Sequence, residues 1–323
     1  PNVGDLQVTH FYPEFSNDRW YQAALTVQGK VGSFDLTYAG AYMKRDVDYA
    51  QDYSDYSYFY DTLYGYYLVD DANHKINPAQ HIRAKDRYTK QTHELRLSSS
   101  PDNPLRGLIG LYYSDQEHFI EQRYQVDNLA SALEVTGWPD TLWLTEQERS
   151  DKDYALFGQL EYDLTDKLTI SGGLRLFKAQ NSLKGFFGFG TGYSATLGEG
   201  SCFAPTSVGN GPCTNLNKSV EETGSTHRLN LTYKIDDDRM IYATWATGFR
   251  PGGINRRGTL PPYKSDFLTS YELGWKTTWA DGSLRWNGAV YFEQWEDFQF
   301  SILGSNGLTE IKNAGNADIW GVE

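Results

Sequence analysis

The chain is 323 residues long, 39% hydrophobic and 15% aromatic, and carries a formal net charge of −13. No run approaches the ~18 consecutive apolar residues of a membrane helix, which excludes helical spans, and the acidic net charge argues against a nucleic-acid partner. A β-barrel survives both tests, because its strands are apolar on alternate residues alone and its loops are polar.

Taken in chain order, the pattern has period two. After an irregular lead, Tyr21, Ala23, Leu25 and Val27 alternate with polar residues, Gly29 to Gly32 turns the chain, and Phe34, Leu36, Tyr38, Gly40 and Tyr42 return. From Arg45 to about Arg87 no apolar alternation is sustained, which predicts a long loop. His93, Leu95 and Leu97 open a second hairpin, Pro101 to Pro104 turns it, and Leu105 to about Phe119 returns with ambiguous facing. A second long segment, about Ile120 to Ser150, has room for a short helix near Asp127 to Val135. Tyr154 to Tyr162 and Leu168 to Leu176 form a third hairpin about Thr165-Asp166-Lys167.

A third loop from about Gln180 to Glu222 reads as too glycine-rich for regular structure. Leu229, Leu231 and Tyr233 then pair with Ile241, Ala243 and Trp245 through three aspartates, and a fourth loop, GFRPGGINRRGTLPPYKSDF, follows. The last hairpin is the clearest. Tyr271, Leu273, Trp275, Thr277 and Trp279 point one way, Ala280-Asp281-Gly282 turns, and Leu284, Trp286, Gly288, Val290 and Phe292 return on the same face. A final strand begins near Ile311 and runs to the end.

Each arm is about ten residues or longer, the length of a tilted membrane strand, and exceeds the usual five or six. Short turns alternate with long loops, as in outer-membrane barrels. About eleven strands are expected, in an all-β, transmembrane antiparallel barrel. Pro1 to Gly4 show no charged-then-apolar leader, and Glu323 falls in a strand pattern. Residues 1–323 are therefore expected to be an internal segment, a partial barrel domain of a longer chain.

Several phrases resemble TonB-dependent outer-membrane receptors, especially the subgroup common in sphingomonads, caulobacters and marine gammaproteobacteria: THELRLSSSPDNPLRGLIGLYY, LFGQLEYDLTDKLTISGGLR, YATWATGFRPGGIN, SYELGWKTTWADGSLRWNGAVYFEQWEDFQ and NAGNADIWGVE. The resemblance implies a barrel of about twenty-two strands filled by an N-terminal plug. It also implies an extracellular ligand, a siderophore, glycan or similar, bound between plug apex and loops, and import driven by the TonB complex of the inner membrane. Outer-membrane lipid and lipopolysaccharide are the other expected partners. A passive channel and a secreted carbohydrate-binding β-protein are the alternatives.

Ligand contact is expected of a tyrosine-rich run, Tyr53, Tyr56, Tyr58, Tyr60, Tyr64, Tyr66 and Tyr67, since Tyr offers a flat apolar face and a hydroxyl; the bland reading is a loop packed on itself. The interspersed Asp52, Asp55, Asp61, Asp70 and Asp71 fit no EF-hand spacing and read as solvated. Arg250, Arg256 and Arg257 form a compact basic cluster suited to a carboxylate, sulfate or phosphate, or are ordinary loop charge. Glu161, Arg175, Glu272, Lys276, Arg285 and Glu293 are expected to line the lumen. Cys202 and Cys213 read as a small disulfide loop or as two thiols. The histidines show no ligand spacing, no nucleophile or phosphate motif is present, and neither metal, cofactor nor enzymatic activity is expected.

Overall fold

The computed structural model describes residues 4–57, 68–193, 197–304 and 308–323. Its strands are β1 (Phe15–Val31), β2 (Phe34–Asp52), β3 (Gln80–Ser98), β4 (Leu105–Val126), β5 (Thr141–Asp163), β6 (Leu168–Phe189), β7 (Leu216–Asp236), β8 (Arg239–Arg250), β9 (Asp266–Trp279), β10 (Leu284–Glu296), β11 (Gln299–Leu303), β12 (Thr309–Asn313) and β13 (Ala317–Val322). β1 to β10 and β13 form one eleven-stranded sheet in sequence order, and β11 pairs with β12 as a separate hairpin. Neighbours are antiparallel throughout. Short turns join the strands at one end, whereas residues 53–79, 127–140, 190–215, 251–265 and 297–316 connect them at the other.

The two faces differ in kind. Val27, Tyr38, Leu95, Leu111, Leu156 and Leu176 lie in one cross-strand row, and the apolar face is the exposed one, with Leu160 63% exposed. That inverts the pattern of a sheet in water and matches a sheet facing lipid. Aromatic rows border the band: His93, Tyr113 and Tyr154 on one side of the sheet, Trp245, Tyr271, Phe292 and Trp320 on the other. On β4 the apolar face runs Leu105, Ile109, Leu111, Tyr113 and then turns to Asp115, Glu117 and Glu121. Some nine residues cover the band, and the rest of this 22-residue strand stands beyond it.

This division corrects the loop boundaries read from alternation. The β2–β3 ladder runs unbroken from Asp35↔Ser98 to Asp52↔His81, so the loop spans 53–79 rather than Arg45 to Arg87. Hydrogen bonding continues past the lipid, but apolar alternation has no reason to. β1 likewise starts at Phe15 and its turn is Gly32-Ser33, while the β4–β5 connection contracts to 127–140, where turns replace the expected helix. β6 carries regular structure through GFFGF. Its Gly185 and Gly188 take φ of 130° and 139°, a region open to glycine alone, and a Cβ at Gly185 would lie 2.2 Å from the Glu146 carbonyl. The expected final strand is two: β12 folds back on β11, and β13 rejoins the sheet.

Beyond the band, the upper end of β5 is covered on the exposed-face side by the 190–215 connection. Val135, Leu144, Phe186 and Cys213 pack together, and Cys202 is bridged to Cys213 across a sequence separation of 11. Glu146 is 1% exposed beneath this segment. Its Oε1 accepts the Asn210 N–H at 2.9 Å, while Oε2 has no partner among the described residues. Burial pushes its carboxyl above the ordinary value, the Asn210 hydrogen bond opposes that, and Glu121, directly opposite on β4, adds to it.

Two outcomes follow from this packing. An acid whose folded pKa is raised contributes stability present below its ordinary value of 4.5 and lost as pH rises through the raised one. Limited proteolysis of 201–213 should therefore accelerate as pH rises above the ordinary carboxyl value, and Glu146→Gln should flatten that dependence. Elsewhere, Tyr242 lies over Gly274 on the next strand, and a Cβ there would sit 2.4 Å from the ring. Gly274→Val should cost about 1–3 kcal/mol and lower the thermal transition of the intact protein in detergent. Gly29→Ala, where a Cβ meets nothing within 4 Å, should leave it within error.

Candidate functional site

The site is built where β4, β5 and β6 rise past the apolar band. Their polar face receives the 251–265 connection, which folds inward over the sheet. Gly253 and Tyr263 exchange backbone hydrogen bonds at 3.0 and 2.9 Å, closing the segment into a loop. Ile254, 1% exposed, pins it by packing on Leu183 and Leu216, a burial that contributes about 1.5–3 kcal/mol. Polar contacts set its depth. Asn181 Oδ1 accepts the Ile254 N–H at 2.9 Å, Arg149 Nη2 donates to the Ile254 carbonyl at 3.3 Å, and Gln147 Nε2 donates to the Arg256 carbonyl at 3.0 Å.

Asn255 ties the loop to the small hairpin. Its Nδ2 donates to the carbonyls of Pro261 and Ile311, both at 3.1 Å, and its Oδ1 accepts the Ile311 N–H at 2.8 Å. β12 is thereby held against 251–265 instead of extending the sheet. The enclosed space is a cavity of about 900 Å³ walled by rings, among them Tyr53, Tyr56, Tyr124, Trp143, Phe187 and Phe189. Trp143 stands edge-on to Phe187 and Phe189, with centroids at 4.7 and 4.5 Å, and Tyr53 meets Tyr124 at 5.4 Å. Such perpendicular pairs fix ring orientation.

Arg256 enters this cavity and donates from Nη1 to Gln122 Oε1 at 3.2 Å. Burial, and next the Arg149 guanidinium, lower its pKa. A guanidinium does not deprotonate in proteins, so the result is a poorly solvated cation rather than a neutral base. Burial, with Tyr53 and Tyr49 nearby, pushes the Tyr124 phenol up to about 12, which keeps its proton in place at neutral pH.

Of the residues singled out by sequence, Tyr53, Tyr56 and Arg256 line the cavity; Tyr58, Tyr60, Tyr64, Tyr66 and Tyr67 lie outside the described residues. The three arginines do not converge. Arg250 pairs with Asp266 at 2.5 Å and donates to the Gln299 carbonyl, and Arg257 pairs with Glu199 at 3.0 Å. Glu161, Arg175, Glu272, Lys276, Arg285 and Glu293 share the polar face, where Arg106 meets Glu161 at 2.5 Å and Arg175 meets Asp153 at 3.1 Å. Asp52 and Asp70 accept backbone N–H groups, Asp52 from Phe11, Tyr12 and Ser54, Asp70 from Ala72 and His74. Asp71 accepts from Ser131. Trp143, Arg149, Phe187 and Phe189 were not singled out. Strict alternation carried upward along β5 and β6 finds them, once the strands are known to continue.

The family description "TonB dependent receptor-like, beta-barrel" matches residues 2–323. The pesticin receptor of Yersinia enterocolitica is 26% identical over 247 residues, covering 75% of this chain and 32% of that protein; the pesticin receptor of Yersinia pestis matches to the same extent. The chain thus spans about a third of the length of these curated relatives. Among solved structures, the ferric yersiniabactin uptake receptor of Yersinia pestis superposes with a TM-score of 0.69 at 15% identity, covering 96% of this chain and 39% of that one. A siderophore receptor of Acinetobacter baumannii superposes with a TM-score of 0.60 at 13% identity, covering 96% and 44%. These superpositions show that the fold is shared. The chain belongs to the TonB-dependent receptor β-barrel family, whose members are outer-membrane proteins of Gram-negative bacteria, and it shares that location.

Proposed function

We propose that the intact protein is an energy-coupled outer-membrane receptor. It captures an extracellular ligand in the loop-end cavity and passes it to the periplasm with energy from the inner-membrane TonB complex. The observation that carries this reading is the inward fold of 251–265. A passive channel needs an open lumen, whereas here a loop from the long-connection end crosses the polar face and closes a ring-lined cavity of about 900 Å³ above it. A drug-sized molecule fits a space of that order.

The named relatives support an uptake role: one takes up ferric yersiniabactin and another is a siderophore receptor. Siderophores, glycans and similar molecules are the ligands this reading admits. Outer-membrane lipid meets the apolar band, lipopolysaccharide meets the rim above it, and the TonB complex acts through a plug that family resemblance supplies.

Accumulation of labelled ligand by cells is the direct test. A proton uncoupler should reduce accumulation to background while leaving surface binding intact. Uptake that proceeds unchanged in its presence would show a passive channel instead.

A further inference from the structure

Asn-Gly, the dipeptide whose side-chain amide is attacked most readily by the following backbone nitrogen, occurs at 210, 287 and 306. Asn306 lies outside the described residues, and the other two stand in opposite settings. Asn287 and Gly288 pair with Lys276 and Trp275 in the β9–β10 ladder. The Asn287 Oδ1 accepts the Thr277 N–H at 3.1 Å, and a Cβ at Gly288 would lie 2.3 Å from the Trp275 ring. Neither the amide nor the peptide that follows it is free to turn.

Asn210 sits instead in a turn of the disulfide-bridged segment, and it is exposed. Its side-chain amide makes no hydrogen bond among the described residues, and the Gly211 N–H has no acceptor among them. The Asn210 backbone, by contrast, is held from two sides. Its N–H donates to Glu146 Oε1 at 2.9 Å, and its carbonyl accepts the Trp138 Nε1–H at 3.2 Å. A loose amide is thus carried on a fixed backbone, next to a nitrogen that no Cβ screens. Asparagine is a thermolabile residue, and here nothing protects it.

We propose that Asn210-Gly211 is a site of spontaneous deamidation, and that the change loosens the 201–213 segment over Glu146. The Gly211 nitrogen bonds to Asn210 Cγ, the Cγ–Nδ2 bond breaks, and ammonia leaves carrying the proton that the peptide nitrogen gives up. Water then opens the resulting succinimide. Addition at Cγ restores the main chain with aspartate at 210, whereas addition at the main-chain carbonyl routes the chain through Cβ as isoaspartate. Nothing is oxidised or reduced, and water is the only co-reactant.

Both products disturb the seal. Each places a new carboxylate beside a segment that already covers Glu146, with Glu121 directly opposite on β4, and like charges brought together are destabilising. Isoaspartate also adds a methylene to the main chain between Asn210, which is held to Glu146, and Cys213, which is packed against Val135, Leu144 and Phe186. A span fixed at both ends cannot lengthen without giving up one of its contacts.

The test is ageing of the intact protein in detergent near neutral pH, with peptide mapping by mass spectrometry to read amide-to-acid conversion at each asparagine. Asn210 should convert severalfold faster than Asn287 in the folded protein, and the difference should vanish in the urea-unfolded, reduced chain. Proteolysis within 201–213, read by electrophoresis after reduction, should speed up severalfold in aged wild type and stay at its starting rate in aged Asn210→Gln, whose longer side chain closes the ring poorly. An amide retained at Asn210, or equal conversion at 210 and 287 in the folded protein, overturns the site. An equal rise in proteolysis of the aged Gln variant, or none in converted wild type, overturns the link to the seal.

Discussion

Everything in this sheet depends on the backbone ladder. Inside lipid no water is present to bond a free N–H or C=O, so each crossing segment must hydrogen-bond to its neighbours on both sides. That requirement makes the strands antiparallel, adjacent in sequence order and continuous across the band. It also frees the side chains from any need to form a core. Leucines and aromatics can face outward in unbroken rows because the surrounding medium, rather than another layer of protein, is their apolar partner.

Above the band the constraint changes. Water satisfies exposed backbone groups, so strands can stop, turn or bulge, and connections can fold back. The register shift at Tyr124 and Gln125 lies here, at the cavity wall. So do the positive-φ Gly185 and Gly188 of β6. Polar side chains take over as the organising contacts: Asn181, Gln147 and Asn255 each spend an amide on the backbone of an incoming loop or hairpin. Such bonds contribute about 0.5–1.5 kcal/mol each. Together with the Ile254 anchor they hold the loop that closes the cavity.

The same change of medium decides what sequence can reveal. Tyr271 to Trp279 and Leu284 to Phe292 are legible because lipid demands apolar residues on one face, and their pairing follows the alternation residue by residue. Residues 45–52 and 80–87 are equally regular strands, yet both faces meet polar surroundings and no period survives. Adjacent arginines illustrate a different limit. Arg256 and Arg257 are neighbours in sequence, but one enters the cavity and the other reaches Glu199 on another loop, a divergence set by loop path and invisible to local spacing. Conversely, Arg149 and Trp143 lie far in sequence from Arg256 and join it because the sheet and an inward loop bring them together.

The upper end of β5 is where these influences meet. It is covered on one side by the disulfide-bridged segment through Leu144 and Glu146, and on the other by 251–265 through Gln147. Residues 141–147 are consequently buried without interruption, although the lower half of the same strand is half exposed. A strand packed on both faces has little freedom to shift, and Arg149 follows directly from its end. A side chain carried on such a mount is already in place and would lose less entropy in meeting a ligand. The outer seal, packed on the opposite face of the same strand, thus acts on the cavity by keeping the wall that carries Arg149 rigid.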